Sequence, residues 1–237
     1  MNEESGILYG IGVGPGGGDL LTLRAVRVIR AADLICLPQP EKEACRAYRI
    51  AREAVPELAD KACVGLVFPM TRDESALRQA HECAYQTIRE ALRAGKSLAF
   101  LTIGDPTVYS TFTYLAERAT ADGVRVELVS GVTSYQAVAA RLGISLCEGD
   151  EELHVATGQS EIERVLTLPG TKVLMKCGKR MAEIKARLEA LERSGAVRVY
   201  AVTDCGLDTE RMYQSASGLP DTADYMTTII VKENQNK

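Results

Sequence analysis

The chain has 237 residues, which is enough for one large domain or two smaller ones. Its hydrophobic fraction of 46% and charged fraction of 25% are ordinary for a globular protein. The net charge of −4 argues against sequence-independent binding of nucleic acid, which normally requires a basic surface. No run of about 18 apolar residues occurs, so we expect no membrane span and no membrane partner.

The cysteines and histidines give no sign of a metal site. The seven cysteines are scattered, and no two of them lie within three residues of each other. Such isolated cysteines are typical of reduced, mostly buried side chains in a cytoplasmic protein. The acidic N-terminal segment lacks the basic start of a signal peptide, which also favours the cytoplasm. We expect His81 and His154, which are far apart, to be ordinary helix or strand residues.

The first part of the chain alternates short β-type runs with longer helical patterns. The pattern predicts strands at 7–13, 33–40, 97–104 and 124–131. It predicts helices at 20–32, 76–95, 108–123 and 132–143. Gly95 and Gly143 mark helix ends. This order indicates a largely parallel sheet with helices on its faces.

The acidic segment 147–152 is the best candidate for a domain boundary. Beyond it, strands are predicted at 153–158, 172–178, 197–203 and 225–232, with a helix at 181–195. Because helices are fewer here, we expect a mixed sheet. The predicted architecture is therefore α/β with two domains. Their bounds are 1–131 for the N-terminal domain, 132–150 for a connecting helix and linker, and 151–237 for the C-terminal domain.

The segment GIGVGPGGGDLLT (10–22) contains six glycines and a G-x-G-x-x-G pattern. A dinucleotide-binding loop would need an acidic residue at the carboxyl end of the second strand, whereas Asp33 precedes that strand. Pro15 also removes a backbone N–H that a phosphate would require. No Gly-Lys-Ser/Thr follows, which excludes an ATP-type loop. So many glycines favour close approach by a large ligand that is not dominated by phosphate.

Two further segments follow predicted strands, at the edge where parallel sheets bind ligands. They are IGDP (103–106) and SGVTS (130–134). Asp105 and Pro106 also fit a purely local interpretation, in which Asp105 caps a helix and Pro106 is its first residue. Local chemistry alone leaves both interpretations of this pair open.

Together, and in this order, the three segments resemble the tetrapyrrole methyltransferases that use S-adenosylmethionine (SAM). The resemblance spans nearly the whole chain. Within the family, FPMT (68–71), GDPTVYSTFTYL (104–115) and VLMKCGKR (173–180) are most similar to the precorrin-2 C(20)-methyltransferase branch. The chain departs from the family where Gly17, Gly18 and Asp19 replace Asp-Pro-Glu, which we expect to change the stiffness of the loop rather than the chemistry.

The resemblance implies two α/β domains with SAM in the trough between them, a homodimer, and a cofactor site formed mostly by backbone. Carried onto this sequence, the implied cofactor contacts are Pro15, Ile103, Gly104, Asp105, Val108, Thr133, Ser134, Lys176, Cys177, Cys205 and Thr228.

The implied reaction is methyl transfer to carbon 20 of precorrin-2 or cobalt-factor II in cobalamin synthesis, which leaves S-adenosylhomocysteine. No general base is identified: Asp105 and Tyr109 are weak candidates, for each of which a structural role is expected first. The substrate carries many carboxylates and needs local cations. The candidates are Arg72, Lys176, Lys179 and Arg180, each of which also fits a solvated surface charge. No protein metal site is implied, because cobalt would arrive inside the substrate.

Three alternatives remain open at this point. The chain could act at another ring position, or on another substrate, within the same family. A dinucleotide-dependent oxidoreductase is disfavoured by Pro15 and by the missing acid after the second strand. A tetrapyrrole carrier without turnover would not need three elaborated loops.

Overall fold

The computed structural model describes residues 6–69, 71, 73–222 and 225–234. The chain divides into two compact units, with the boundary between Thr133 and Ser134. Each unit contains one five-stranded sheet with accompanying helices, so the predicted α/β class is confirmed. No helix in the described ranges combines the length and the apolar character that crossing a membrane requires.

The sheet of the first unit is entirely parallel, with strand order β3-β2-β4-β1-β5. Its strands are β1 (Ile7–Gly12), β2 (Leu34–Leu37), β3 (Cys63–Gly65), β4 (Ser97–Thr102) and β5 (Arg125–Val129). Its helices are α1 (Leu23–Ala31), α2 (Arg46–Ala54), α3 (Glu74–Arg93) and α4 (Phe112–Ala121).

Burial explains the run of apolar residues in the central strand. In β4, every residue from Leu98 to Thr102 is buried, as expected for a parallel strand covered on both faces.

The helices carry clear end signals. The Thr22 hydroxyl accepts the Ala25 N–H at the start of α1, and the Asp73 carboxylate accepts the Ser75 N–H at the start of α3. The predicted stop at Gly95 is confirmed, since α3 ends two residues before it.

The sheet of the second unit is mixed, as expected, with strand order β6-β7-β10-β8-β9. Its elements are α5 (Ser134–Leu142), β6 (Leu153–Thr157), α6 (Ile162–Leu166), β7 (Thr171–Met175), α7 (Met181–Arg193), β8 (Val197–Thr203), β9 (Arg211–Tyr213) and β10 (Thr227–Glu233). Only the pair β6–β7 is parallel among the pairs described. One side of the sheet packs on α7 through a fully buried core that includes Leu174, Ile184 and Leu188.

Several elements differ from the sequence prediction. The structure adds α2, β3, α6 and β9, of which the strands have three residues each and are too short to show a periodicity. Helix α4 begins at Phe112, four residues later than expected, because residues 105–111 form turns. Helix α5, which the sequence analysis assigned to a connecting segment, packs against β10 and β8.

Candidate functional site

Three loops meet at one edge of the first sheet. We name them the glycine loop (13–22, after β1), the Asp105 loop (103–111, after β4) and the Ser130 loop (130–133, after β5). Strands β4, β1 and β5 are neighbours and run parallel, so their carboxyl ends lie side by side. The sequence prediction that these segments come together is therefore correct.

Hydrogen bonds join the three loops into a ring. The backbones of Gly14 and Gly104 exchange two bonds, with N···O distances of 3.3 and 2.8 Å. The Asp105 carboxylate accepts the Gly131 N–H at 2.9 Å, which links the second loop to the third. The Thr22 hydroxyl donates to the carbonyl of Ser130 at 3.2 Å and closes the ring to the glycine loop.

Close backbone contact explains the glycines at this edge. A Cβ added to Gly131 would lie 2.2 Å from the Gly104 carbonyl oxygen and 2.8 Å from the Gly12 carbonyl carbon. Gly104 has φ +75°, a left-handed conformation that favours glycine. A Cβ on Gly104 would find no heavy atom nearer than Val132 O at 4.0 Å among the described neighbours, so this side of the backbone is open to a ligand.

Asp105 holds the loops together rather than capping a helix. It is 8% exposed. One carboxylate oxygen accepts the Gly131 N–H, and the other accepts the N–H and hydroxyl of Thr107 at 2.8 and 2.5 Å. The local interpretation of Asp105 as the cap of α4 is wrong, because Thr111 occupies the N-cap position of that helix. Both oxygens are engaged within the protein, which favours a structural role over that of a proton acceptor.

The other predicted residues of this unit lie on the same loops. Pro15 is buried within the glycine loop, and Thr133 is buried at the end of the Ser130 loop. Ile103 and Val108 are partly buried in the Asp105 loop. Tyr109 is 48% exposed and has φ 49°, which is unusual for a tyrosine. Arg72 lies outside the described residues.

Asp33 lies at the opposite edge of the sheet. Its carboxylate accepts the Ser97 N–H at 2.7 Å, and its own N–H donates to the Ser97 carbonyl at 2.8 Å. It therefore ties the start of β2 to the start of β4, and the loops lie beyond the ends of the strands. This position supports the rejection of Asp33 as the ribose ligand of a dinucleotide.

Glu53 is a residue of this site that sequence reasoning missed. Its carboxylate, in the last turns of α2, accepts the Gly18 N–H of the glycine loop at 2.8 Å. The two residues are 35 positions apart, and α2 itself was not predicted. The glycine at position 18 was the signal in the sequence, since it indicates a close approach by another part of the chain. The structure identifies that part as Glu53, whose Cβ would lie 2.6 Å from a Cβ added to Gly18.

In the second unit, the predicted residues also meet at one sheet edge. Strands β7 and β8 both run antiparallel to β10, so their carboxyl ends flank the start of β10. Thr228 of β10 pairs with Met175, the residue before Lys176 and Cys177. The Ser134 hydroxyl, at the start of α5, accepts from the Thr228 hydroxyl at 3.2 Å and lies 4.0 Å from Met175 Sδ.

Two left-handed residues occur at this edge. Lys176 has φ 54° and directly follows β7, and Asp204 has φ 51° and directly follows β8. Non-glycine residues in this conformation tend to cluster at functional sites.

Burial raises the pKa of Cys177 to about 11, and burial with the Glu210 charge raises that of Cys205 to about 11. Both thiols therefore stay protonated and un-nucleophilic near neutral pH.

The predicted substrate cations differ in what they contact. The Arg180 guanidinium donates to the carbonyls of Gly158 and Ser160, both at 3.0 Å, and pairs with Glu183 at 3.0 and 2.8 Å. It therefore braces a loop of its own unit. Lys179 is exposed, and the Lys176 ammonium lies 5.2 Å from the ring centre of Tyr225.

Comparison with known proteins gives consistent results. The sequence model of the "Tetrapyrrole (Corrin/Porphyrin) Methylases" matches residues 7–219. A "Probable cobalt-precorrin-2 C(20)-methyltransferase" of Methanocaldococcus jannaschii is 37% identical over 177 residues, which cover 74% of each chain. The "Cobalt-precorrin-2 C(20)-methyltransferase" of Salmonella typhimurium is 32% identical over 188 residues, which cover 78% of each chain.

The fold has close counterparts among solved structures. The uroporphyrin-III C-methyl transferase of Thermus thermophilus, solved in complex with S-adenosylhomocysteine, superposes with a TM-score of 0.70. It is 22% identical, and the match covers 96% of this chain and 97% of that one. From the family match over most of its length and from its relatives, the chain belongs to the tetrapyrrole (corrin/porphyrin) methylase family.

Proposed function

We propose that this protein transfers a methyl group from SAM to carbon 20 of precorrin-2 or of cobalt-factor II in cobalamin biosynthesis. The observation that carries the proposal is the pair of relatives at 37% and 32% identity, both named for C(20) methylation of cobalt-precorrin-2. Each match covers about three quarters of both chains, which supports transfer of the activity as well as the fold.

The loops of the first unit fit a cofactor held mainly by backbone. The ring of hydrogen bonds fixes the three loops relative to one another, and the open side of Gly104 leaves room for a ligand. The Thermus relative solved with S-adenosylhomocysteine supports SAM as the ligand. In this unit, the proposed cofactor contacts are Pro15, Ile103, Gly104, Asp105, Val108 and Thr133.

The second unit has its own set of candidate groups at its sheet edge. The Thr228 and Ser134 hydroxyls form a fixed pair, and the left-handed turn at Lys176 redirects the backbone before Cys177. The buried thiols of Cys177 and Cys205 are neutral and can pack against a cationic sulfonium without reacting with it. In this unit, the proposed cofactor contacts are Ser134, Lys176, Cys177, Cys205 and Thr228.

Bound SAM supplies an electrophilic methyl group on a sulfonium. The chain's own contribution would be alignment: the loop ring would orient the donor for an in-line transfer, which requires the reacting atoms to lie about 3 Å apart and water to be kept out. The carboxylate of Asp105 positions the loops, because both of its oxygens are hydrogen-bonded within them, and the proposed cofactor contact of Asp105 is made by its backbone. No general base is assigned: Tyr109, on the same loop and half exposed, could accept the proton that carbon 20 loses only as a phenolate.

The substrate's carboxylates require nearby cations. Lys179 is exposed beside the Lys176 turn, so we propose these two lysines and Arg72 as its partners. Arg180 acts by bracing the 158–160 loop. We further propose a cytoplasmic homodimer with no resident metal, in which any cobalt belongs to the substrate.

The test is a paired anaerobic incubation of the purified protein with SAM carrying a carbon-13 methyl group. One tube contains metal-free precorrin-2 and the other contains cobalt-factor II, and S-adenosylhomocysteine replaces SAM in the controls. We expect one added methyl in one tube, located at carbon 20 by carbon-13 NMR. A methyl at another ring position would assign a sibling activity of the family.

The alternatives give different results in two titrations. No methyl gain in either tube, with SAM binding seen by calorimetry, would contradict the proposed substrate. Tight binding of NADH in a fluorescence titration would instead favour an oxidoreductase. Tetrapyrrole binding without any SAM binding would indicate a carrier.

A further inference from the structure

The loop that follows β8 (204–210) is held in an unusual shape by its own side chains. Asp204 and Gly206 both have positive φ, 51° and 80°. The Asp204 carboxylate, 7% exposed, accepts the Thr209 hydroxyl at 2.8 Å. A left-handed conformation costs energy even at an aspartate, so contacts such as this hydrogen bond help to maintain the turn.

Glu210 makes the densest set of these contacts. Its side chain is 12% exposed, and its carboxylate accepts the Gly206 N–H at 2.8 Å and the Arg141 Nε–H at 2.6 Å. The thiol of Cys205 hydrogen-bonds the same carboxylate. One carboxylate therefore holds two successive loop residues and one residue of α5.

Helix α5 connects this loop to the rest of the sheet edge. Its first residue, Ser134, bonds to Thr228 and approaches Met175. Its last turn carries Arg141, which pairs with Glu210. Each end of α5 is thus attached to a segment with a proposed cofactor contact, Thr228 at one end and Cys205 at the other.

We propose that Glu210 and Arg141 are positioning residues for cofactor binding. Neither touches the cofactor; their ion pair fixes the 204–210 loop so that Cys205 is presented in its bound conformation before the ligand arrives. The inference rests on the proposed function, because it takes Cys205 as a cofactor contact. A preordered loop binds more tightly since less conformational freedom is lost on binding.

The consequence is a split between affinity and turnover. Without the ion pair, the loop samples other shapes, and binding must restore the one that fits. We expect the Kd for S-adenosylhomocysteine and the KM for SAM to rise about two- to fivefold, because the Arg141 side chain is 57% exposed and solvent screens its ion pair with Glu210. The value of kcat at saturating SAM should stay within about twofold, because the occupied loop regains its shape.

The experiment uses the full chain with the variants Glu210→Gln, Arg141→Met, Arg141→Lys and the double variant Glu210→Gln/Arg141→Met. The matched control is Arg193→Met, which removes an arginine from the last turn of α7, where it forms an exposed pair with Glu189 at 3.4 Å. Calorimetry gives the Kd for S-adenosylhomocysteine, steady-state assays give KM and kcat, and hydrogen exchange reports on the 205–210 amides of the free protein.

We expect faster exchange of these amides and weaker binding in Glu210→Gln and Arg141→Met. The double variant should bind S-adenosylhomocysteine no more weakly than the weaker-binding single variant, because the two residues act as one unit. Arg141→Lys should recover part of the affinity, and Arg193→Met should match the wild type. Amide exchange and a Kd equal to those of the wild type in the single variants would overturn the inference. Losses of affinity that add up in the double variant, or a fall in kcat at constant KM, would overturn it as well.

Failure of the inference and failure of the proposed function are distinguishable. Wild-type protein that binds S-adenosylhomocysteine, while Glu210→Gln binds it equally well, overturns only the inference. Wild-type protein that binds it but methylates neither tetrapyrrole overturns the proposed substrate and leaves the comparison of Kd values valid. Wild-type protein that does not bind it overturns both.

Discussion

Replacing Asp105 by Asn separates a positioning role from a chemical one. The carboxylate accepts the Gly131 N–H with one oxygen and two donors of Thr107 with the other. An amide has only one oxygen. If that oxygen stays with Thr107, the new NH2 group faces the Gly131 N–H, and two donors oppose each other within a buried loop.

The magnitude follows from the bond that is lost. A hydrogen bond to a buried charged acceptor contributes about 1.5 to 3 kcal/mol, and the unpaired Gly131 N–H adds to the loss. We therefore expect Asp105→Asn to destabilise the protein by about 2 to 3 kcal/mol. That corresponds to a fall in Tm of about 4 to 12 °C for a chain of this size class. The Kd for S-adenosylhomocysteine should rise about tenfold or more, because two of the three loops lose their link.

The assay combines thermal unfolding with calorimetric titration, and Thr107→Val is the matched control. That variant removes one hydroxyl donor to Asp105 but leaves the bond to Gly131, so a smaller fall in Tm and a nearly unchanged Kd are expected. A Tm and Kd equal to those of the wild type in Asp105→Asn would refute the reasoning about the loop ring. A large loss of kcat with unchanged Tm and Kd would instead show that Asp105 takes part in proton transfer.

Three further predictions concern four substitutions. Glu53→Ala should raise the KM for SAM several-fold in steady-state assays, because the glycine loop loses its anchor to α2; an unchanged KM would contradict that anchor. Arg180→Ala should lower Tm, whereas Lys179→Ala should leave Tm unchanged and raise the KM for the tetrapyrrole; the opposite pattern would restore Arg180 as a substrate ligand. Burial raises the pKa of Glu151, but hydrogen bonds from Thr171 and Lys232 outweigh the effect of burial and hold that pKa below 4.5. Its contribution to stability is therefore full above about pH 4.5 and is lost as the pH falls through the lowered value, so the Tm of Glu151→Gln should change less between about pH 3 and 6 than that of the wild type. Parallel Tm curves for the two proteins would contradict this contribution.

Long elements and glycine-rich loops were predictable from the sequence. The alternation of apolar strands with amphipathic helices indicated a parallel sheet, and each strand from β1 to β10 except β3 and β9 was anticipated within a few residues. Both exceptions have three residues and pair only at sheet edges. Their strand character comes from hydrogen bonds to a neighbour rather than from their own residue pattern.

The roles of individual charged residues were not predictable from the sequence. Asp105 looked locally like a helix cap, yet its carboxylate bonds Gly131, 26 positions away. Arg180 was predicted as a substrate cation, and only the structure shows that it donates to the carbonyls of a loop about 20 positions earlier. No role was predicted for Glu210, because its partner Arg141 lies 69 positions away along the chain.

The sequence by itself determined the α/β class, the three loops after β1, β4 and β5, and membership of the methylase family. These depend on local backbone preferences and on ordered motifs, which are written along the chain. Only the tertiary structure decided that Gly104 contacts both Gly14 and Gly131, and that Asp105, Glu53 and Glu210 hold loops in place. The physical reason is that a buried hydrogen bond depends on which groups folding brings within about 3 Å, and separation along the chain does not encode that.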